Sequence, residues 1–372
     1  MRATGVAGIV FANVNDNLLK KITAHRSMAS VPFGGRYRLI DFTLSNLVNA
    51  GITKVGVITK EKYRSLMDHV GSGLYWDLDR KNGGIYWLPP YLSSGVRRYS
   101  GTIDALYGAR DYIKRCNSEY IVLCDADVLA NIDISSAIKE HIKNEADVTL
   151  VYHNGKLDDI DENTTVLSIN KDNRVTKIAF DGSPEKALNY GIGITIIGRD
   201  LLTKLVYEAN DNDLVSFNED CLAKKVKQLK IYGYEHKEYV SLLKSTESYY
   251  RASMDLLDSA VRCQLFCKER PVLTKTRDDM PTRYGTKAQV KNCFIADGCI
   301  INGTVKNSIL FRGVTVEKGA VIENSILMQS TSVGKNTQLS NVIADKNAVI
   351  GDDMVLKGTE GKRFFVKKNQ II

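Results

Sequence analysis

In the first two-thirds of the chain, apolar residues switch between short continuous runs and helical spacing. Val6–Phe11, Val55–Ile58, Tyr120–Cys124, Val148–Tyr152 and Ile192–Ile197 are mostly unbroken apolar runs, the pattern of strands buried on both faces. The third of these runs straight into Asp125-Ala126-Asp127. Between the first two, Phe42, Leu44, Leu47 and Val48 ahead of Gly51 predict a short helix over Asp41–Asn49. Apolar positions 105, 106, 109, 112 and 113 share one helix face, with Thr102 as the expected N-cap. Val166–Asn170 and Val175–Ile178 flank Lys171-Asp172-Asn173, a hairpin signal. Alternation of this kind predicts an α/β domain with a mostly parallel sheet and helices on both faces.

After about residue 282 the helical spacing disappears. Asn292-Cys-Phe-Ile, Asn307-Ser-Ile-Leu, Asn324-Ser-Ile-Leu and Asn341-Val-Ile-Ala recur, the last three beginning 17 residues apart. Aliphatic residues step by six from Ile295 to Ile301, from Val316 through Ile322 to Met328, and from Val333 to Leu339. Hexapeptide repetition predicts a parallel β-helix, whose coils bury an aliphatic ladder against one another. The expected division is therefore 1–240 for the α/β domain, 241–281 for a connection and 282–372 for the β-helix. The connection holds a helix-like stretch, Ser248–Leu257, and prolines at 271 and 281.

Composition removes several function classes. The chain carries 51 basic and 43 acidic residues, a net charge of +8, with the basic residues spread along it rather than clustered. That favours a solvated surface, or attraction for phosphate esters, over nucleic-acid binding. No window approaches the roughly 18 consecutive apolar residues of a membrane span. Met1-Arg2-Ala3-Thr4 leads directly into the first strand run without the pattern of a signal peptide. Seven cysteines without regular spacing read as reduced thiols, so a cytoplasmic location is expected. A β-helix can belong to an acyltransferase with a histidine base. Here the histidines are His25, His69, His141, His153 and His236, none of them in the repeats, so that chemistry is set aside.

Two motifs carry a family resemblance. Val31-Pro-Phe-Gly-Gly-Arg-Tyr-Arg-Leu-Ile-Asp-Phe-Thr-Leu-Ser-Asn46 and Ser100-Gly-Thr-Ile-Asp-Ala105 resemble segments of bacterial ADP-glucose pyrophosphorylases (glucose-1-phosphate adenylyltransferases), with the repeats following at the matching place. The resemblance implies a Rossmann-like nucleotidyltransferase domain followed by a left-handed parallel β-helix. It also implies synthesis of ADP-glucose and pyrophosphate from ATP and glucose 1-phosphate. Such chemistry uses a glycine-rich loop, an arginine and lysines on the phosphates, and two carboxylates holding magnesium.

This chain departs from that set position by position. The loop that in the family reads Ala-Gly-Gly-x-Gly-x-Arg-Leu matches Ala12-Asn-Val-Asn-Asp-Asn-Leu-Leu19, so the glycines are gone. Val14 stands where bare backbone is expected, and Leu18 replaces the arginine. The family's Arg-Ala-Lys-Pro matches Arg26-Ser-Met-Ala29, so Met28 replaces a lysine. Ser183 replaces the lysine of the sugar-phosphate motif, and Ser216 the first carboxylate of Asp-Phe-Gly-Lys-Asp. The family's Asp-Val-Gly-Thr matches Leu242-Leu-Lys-Ser245. Asp127 remains as a vestigial metal ligand at a strand end, with Asp125 as a weaker candidate. Lys20-Lys21 is the visible substitute for the lost positive charge.

The pattern resembles the GlgD-type branch of the family, degenerate partner subunits that join a catalytic subunit in a mixed tetramer. The resemblance implies a regulatory subunit with little activity alone, homo-oligomeric by itself, for which ATP and Mg²⁺ matter only if activity remains. The other reading is an active adenylyltransferase with atypical ligands. The effector cleft of the family corresponds to His25, Arg26, Pro32 and Arg38, which implies a site for small phosphorylated metabolites near Arg26 and Arg38.

Overall fold

A computed structural model describes residues 5–13, 15–90, 101–156, 164–180 and 188–372. Among the described residues, nine strands form the main sheet: β1 (Val6–Phe11), β2 (Lys54–Ile58), β3 (Gly84–Leu88), β4 (Tyr120–Asp125), β5 (Val148–Gly155), β6 (Val166–Ile169), β7 (Val175–Ala179), β8 (Leu188–Gly198) and β9 (Ile231–Glu235). Their order is β3-β2-β1-β4-β8-β5-β9, with the β6–β7 hairpin attached to β8. Strands β3, β2, β1 and β4 are parallel, and β9 is parallel to β5. β8 runs antiparallel between β4 and β5, which divides the parallel core into two blocks.

β1 shows why these strands read as unbroken apolar runs. Val6 and Val10 enter one core with Leu44 and Leu47, whereas Ala7, Ile9 and Phe11 enter the opposite core with Leu106 and Leu205. Both faces are covered, so successive side chains are all apolar. Helix α1 (Leu39–Asn49) begins two residues before the expected start. Asp41 sits in its first turn, where its carboxylate accepts the Arg38 backbone N–H at 3.0 Å. The N-cap expected at Thr102 is Gly101 instead; helix α2 is Thr102–Gly108. The Thr102 hydroxyl accepts the backbone N–H of Phe217 at 2.9 Å, so it ties two segments together rather than capping its own.

The C-terminal region is a left-handed parallel β-helix of three five-stranded faces, from Arg283–Tyr284 to Phe364–Val366. Its buried ladder corrects the uniform six-residue step. Leu310, Val316, Ile322, Leu327, Val333, Leu339 and Ala344 line the interior, so the steps run six, six and five. Met328, assigned to the ladder from sequence, faces outward into the interdomain core, and Leu327 takes the inner place. The shorter side follows a corner at which Asn307, Asn324 and Asn341 adopt left-handed backbone (φ 44, 47 and 55°). Asparagine tolerates that conformation. Together the three sides make the 17-residue coil.

The Asn-Ser-Ile-Leu repeat then has a direct explanation. Ser308 and Ser325 are buried; Leu310 and Leu327 point inward; Ile309, Ile326 and Ile343 point outward into the core shared with the first domain. That shared core includes Phe33, Phe42, Tyr249 and Leu256. The connection starts with α3 (Thr246–Asp255), close to the expected stretch and capped by Ser245. It then straps across α1, where Leu273 N–H bonds Ser45 Oγ at 2.8 Å. A deep apolar core and a hydrogen-bonded strap thus fix one domain on the other.

Candidate functional site

Two openings gather the candidate residues. The larger, about 640 Å³, lies at the carboxyl ends of β1, β2 and β4 and is lined by Phe11, Ile58 and Asp125 among others. Ligands of open α/β sheets bind at such strand ends.

The loop after β1 forms one wall, through Asn13, Asn15, Asp16, Asn17 and Leu18. It is closed by its own bonds. Asn13 Nδ2 donates to Asp16 Oδ2 at 2.7 Å, and Asn13 Oδ1 accepts the Lys60 N–H at 2.7 Å. Asp16 Oδ1 accepts the Met28 N–H at 2.6 Å. Burial raises the Asp16 pKa, and these donors with Lys62 and Lys60 pull it back. Leu18 lines the cavity and presents no charge. Met28 is fully buried in the interdomain core, far from acting as a phosphate donor's substitute. Val14 and Ser183 lie outside the described residues.

Next to this loop the lining carries the residual carboxylates, Asp125 and Asp127. Asp127 is 2% exposed, and its Oδ2 accepts Asn15 Nδ2 at 2.7 Å and Lys244 Nζ at 3.3 Å. Asp125 packs beneath a bulge in β8 between Gly191 and Ile194. A Cβ on Gly193 (φ +68°) would lie 2.7 Å from Asp125 Oδ2, so only glycine leaves room for that carboxylate. Burial, then the charge of Asp127, pushes the Asp125 pKa up to about 7, against the pull of Lys244.

Ser216 lines the cavity as the N-cap of the wide-turned helix Phe217–Ala223, its hydroxyl accepting Glu219 N–H at 3.2 Å. The following Asp220 turns to its own helix. Its carboxylate accepts Lys224 Nζ at 2.8 Å and the N–H groups of Ser216 and Val215, which hold its pKa down at about 2.

Among the described residues, the cavity cations are Lys60, Lys62 and Lys244. Lys20 and Lys21, the substitutes suggested by sequence, are not in the lining; Lys21 Nζ lies over the Phe365 ring at 5.8 Å. Lys244 stands inside the Leu242–Ser245 motif match, where the sequence alone does not show that it reaches Asp127. No group of three or more His, Cys, Asp or Glu with metal-site geometry occurs among the described residues.

The second opening is a cleft of about 40 Å³ between the domains, lined by Pro32, Arg36, Arg38, His69, Lys275, Arg277, Arg312, Gln329 and Lys346 among others. Pro32 and Arg38 are thus placed in it. Arg38 Nη1 donates to Ser65 Oγ at 2.9 Å, and burial lowers its pKa to about 10. Arg26 sits behind the cleft, 3% exposed, with Nη2 at 2.7 and 3.0 Å from the two carboxylate oxygens of Asp345. His25 is exposed and outside the lining. Lys346 has its pKa lowered to about 7, first by burial and then by Arg38 and Arg26. Buried His69 bonds Asp41 Oδ1 at 2.6 Å. Arg312, Gln329 and Lys346 recur at the coil period of 17, a signal in the sequence that would have found them.

The seven cysteines are all free, and no helix among the described residues is long and apolar enough to cross a membrane. The nucleotidyl transferase family matches residues 17–179, and the GlmU-like C-terminal hexapeptide family matches residues 279–372. The chain is 35% identical over 365 residues to the glycogen biosynthesis protein GlgD of Bacillus subtilis (strain 168), covering 98% of this chain and 96% of that protein. It is 37% identical over 366 residues to GlgD of Geobacillus stearothermophilus, with the same coverage of 98% and 96%. To the glucose-1-phosphate adenylyltransferase of Geobacillus stearothermophilus it is 32% identical over 318 residues, covering 84% of this chain and 82% of that one.

Proposed function

This chain belongs to the glucose-1-phosphate adenylyltransferase family, and within it we propose a regulatory, catalytically impaired subunit that supports ADP-glucose synthesis for glycogen together with a catalytic partner. The observation that carries this reading is the wall after β1. In the proposed reaction a sugar-phosphate oxygen attacks the α-phosphorus of ATP and pyrophosphate leaves, so the site must gather donors and cations on a growing negative charge. Here that wall presents the Asp16 carboxylate and Leu18, and the Asn13 amide and Met28 N–H are already spent on Asp16. Met28 and Ser216 add neither the cation nor the carboxylate expected of them.

The magnesium implied by the family does not fit the donors at Asp127. Its Oδ2 faces an amide N–H and an ammonium rather than further oxygens.

The regulatory half of the proposal lies in the interdomain cleft. It would take a small phosphorylated metabolite on Arg38 and its neighbours, with Arg26 supplying charge from behind. Likeness over nearly the whole chain to the GlgD proteins, and over 84% of it to a glucose-1-phosphate adenylyltransferase, supports assembly into a mixed tetramer in the cytoplasm. Lys60, Lys62 and Lys244 on the cavity favour the second reading, an active adenylyltransferase with atypical ligands.

The two readings separate on ADP-glucose formation from ATP and glucose 1-phosphate. The purified chain should turn over poorly alone and should co-purify with a catalytic subunit and alter its rate. Turnover alone at a catalytic relative's rate would establish the second reading.

A further inference from the structure

Asp127 stands two residues beyond the end of β4, and what faces it is fixed by backbone pairing. The short strand Val240–Leu242 runs antiparallel to Val128–Ala130, with Leu242 opposite Val128. Leu243 N–H then bonds the Asp127 carbonyl at 3.0 Å. The next residue, Lys244, is delivered to the Asp127 carboxylate by that register, and its side chain is only 11% exposed. Its ammonium and the Asn15 amide share the single oxygen Oδ2.

A divalent ion at that oxygen would have to displace both donors and sit beside a fixed positive charge. Magnesium wants a near-octahedral shell of oxygens at about 2.0–2.1 Å. The charge it would supply is already present as lysine. Around it the cavity keeps the character of a ligand site. Its volume of about 640 Å³ falls within the range of small-molecule pockets. Phe11, Ile58 and Leu123 give apolar wall, and Lys60 and Lys62 give positive charge. Thr164, 2% exposed, lines the cavity with a hydroxyl that has no partner among the described residues. A buried hydroxyl of this kind is costly unless something in the cavity bonds it.

We propose that Lys244 is a resident cation in the place of a divalent metal, and that the cavity binds a phosphate ester of a sugar or nucleoside without any metal ion. This rests on the reading of the cavity as a site no longer used for turnover, but it concerns binding, not rate. The impaired-subunit reading can therefore stand or fall separately.

The experiment is isothermal titration of the full chain with ADP-glucose and, separately, glucose 1-phosphate, each in EDTA and in magnesium. Binding of either should have the same Kd in both conditions to within about twofold. The arm that binds identifies whether the nucleoside or the sugar phosphate carries recognition. Lys244→Gln should weaken binding in EDTA by about tenfold or more, the size of one hydrogen bond to a charged group. Lys244→Arg, which keeps the charge, should retain metal-free binding. Manganese paramagnetic resonance gives an independent reading on the unaltered protein. No bound manganese should depend on Asp127, whereas Lys244→Gln should open a manganese site that Asp127→Asn removes. A requirement for magnesium, manganese held by Asp127 in the unaltered chain, undiminished binding by folded Lys244→Gln, or no binding of either ester would each overturn the proposal.

Discussion

At the strand ends of the first domain, Asp16 is answered by Asn13 and Met28, and Asp127 by Asn15 and Lys244. In the cleft between the domains, Arg36, Arg38, Lys275, Arg277, Arg312 and Lys346 converge. Asp279 pairs with Arg312 at 3.3 Å, and Asp345 is committed to Arg26. One opening pairs the carboxylates of Asp16 and Asp127 within the chain and keeps Lys60 and Lys62 on its lining. The other accumulates positive charge until Lys346 resists protonation. The two differ in what a bare anion would find there, because an excess of like charge is relieved by binding one, and a site that mixes carboxylates with its lysines gains less from charge alone. The contrast is the one that the proposed regulatory subunit requires.

The largest expected effect is on rate. Each lost electrostatic stabiliser costs about 10²–10³-fold. Several are missing, so the isolated chain should fall more than about 10³-fold below a catalytic relative in pyrophosphate release. A rate within about tenfold would erase the contrast between the openings.

Arg26→Ala comes next. It leaves Asp345 buried without its partner, which costs about 3–5 kcal/mol. Denaturant unfolding of the full chain should show the loss, and Arg26→Met with Asp345→Leu should recover much of it. If Arg26→Ala is neutral, the wall behind the cleft is not held as described.

A third test adds inorganic phosphate, which lacks the sugar or nucleoside expected of an ester in the strand-end cavity, and reads the melting temperature. At 100 times its Kd, an anion that binds only the folded chain adds about 2.7 kcal/mol. The gain should shrink at high salt and vanish in Arg38→Ala with Arg277→Ala, while single changes at Lys60 leave it intact. A rise that survives the double substitution would place the anion elsewhere.

The smallest effect concerns pH. Lys346 has a folded-state pKa of about 7, below its ordinary value of 10.5. The unfolded chain therefore holds this proton more tightly, and the cost to the fold is fully present below about pH 7. That cost is relieved as pH rises toward the ordinary value. Lys346→Met should stabilise the protein by on the order of 1 kcal/mol at pH 6, with the gain fading toward pH 10. A gain that grows with pH would contradict the crowding of Arg38, Arg26 and Arg277 around it.

Much of this architecture is legible in the chain. Continuous runs such as Val6–Phe11 locate strands because both faces are covered, and the 17-residue spacing of Asn307, Asn324 and Asn341 marks successive corners. Met328 is misassigned because a fixed step of six ignores the shorter third side, and because an outer face buried by another domain is as apolar as the inner one. Thr102 and Arg26 resemble a cap and an anion ligand by position, yet their partners Phe217 and Asp345 lie 115 and 319 residues away. Local spacing cannot show such contacts. Lys244 was hidden for the same reason: a lysine where a family motif is lost reads as damage until Asp127 is seen 3.3 Å away.

The Arg26–Asp345 pair also sets a count. Solenoids commonly gain or lose whole repeats, since each coil contacts only its neighbours. Here one coil inserted or deleted before Asp345 would shift that carboxylate along the stack by one strand spacing, about 4.8 Å. Arg26 could no longer reach it in the same geometry, and Ile309, Ile326 and Ile343 would meet the first domain one step out of register. The β-helix behaves as a ruler of fixed length, and drift in repeat number, open to most proteins of its kind, is closed to this one.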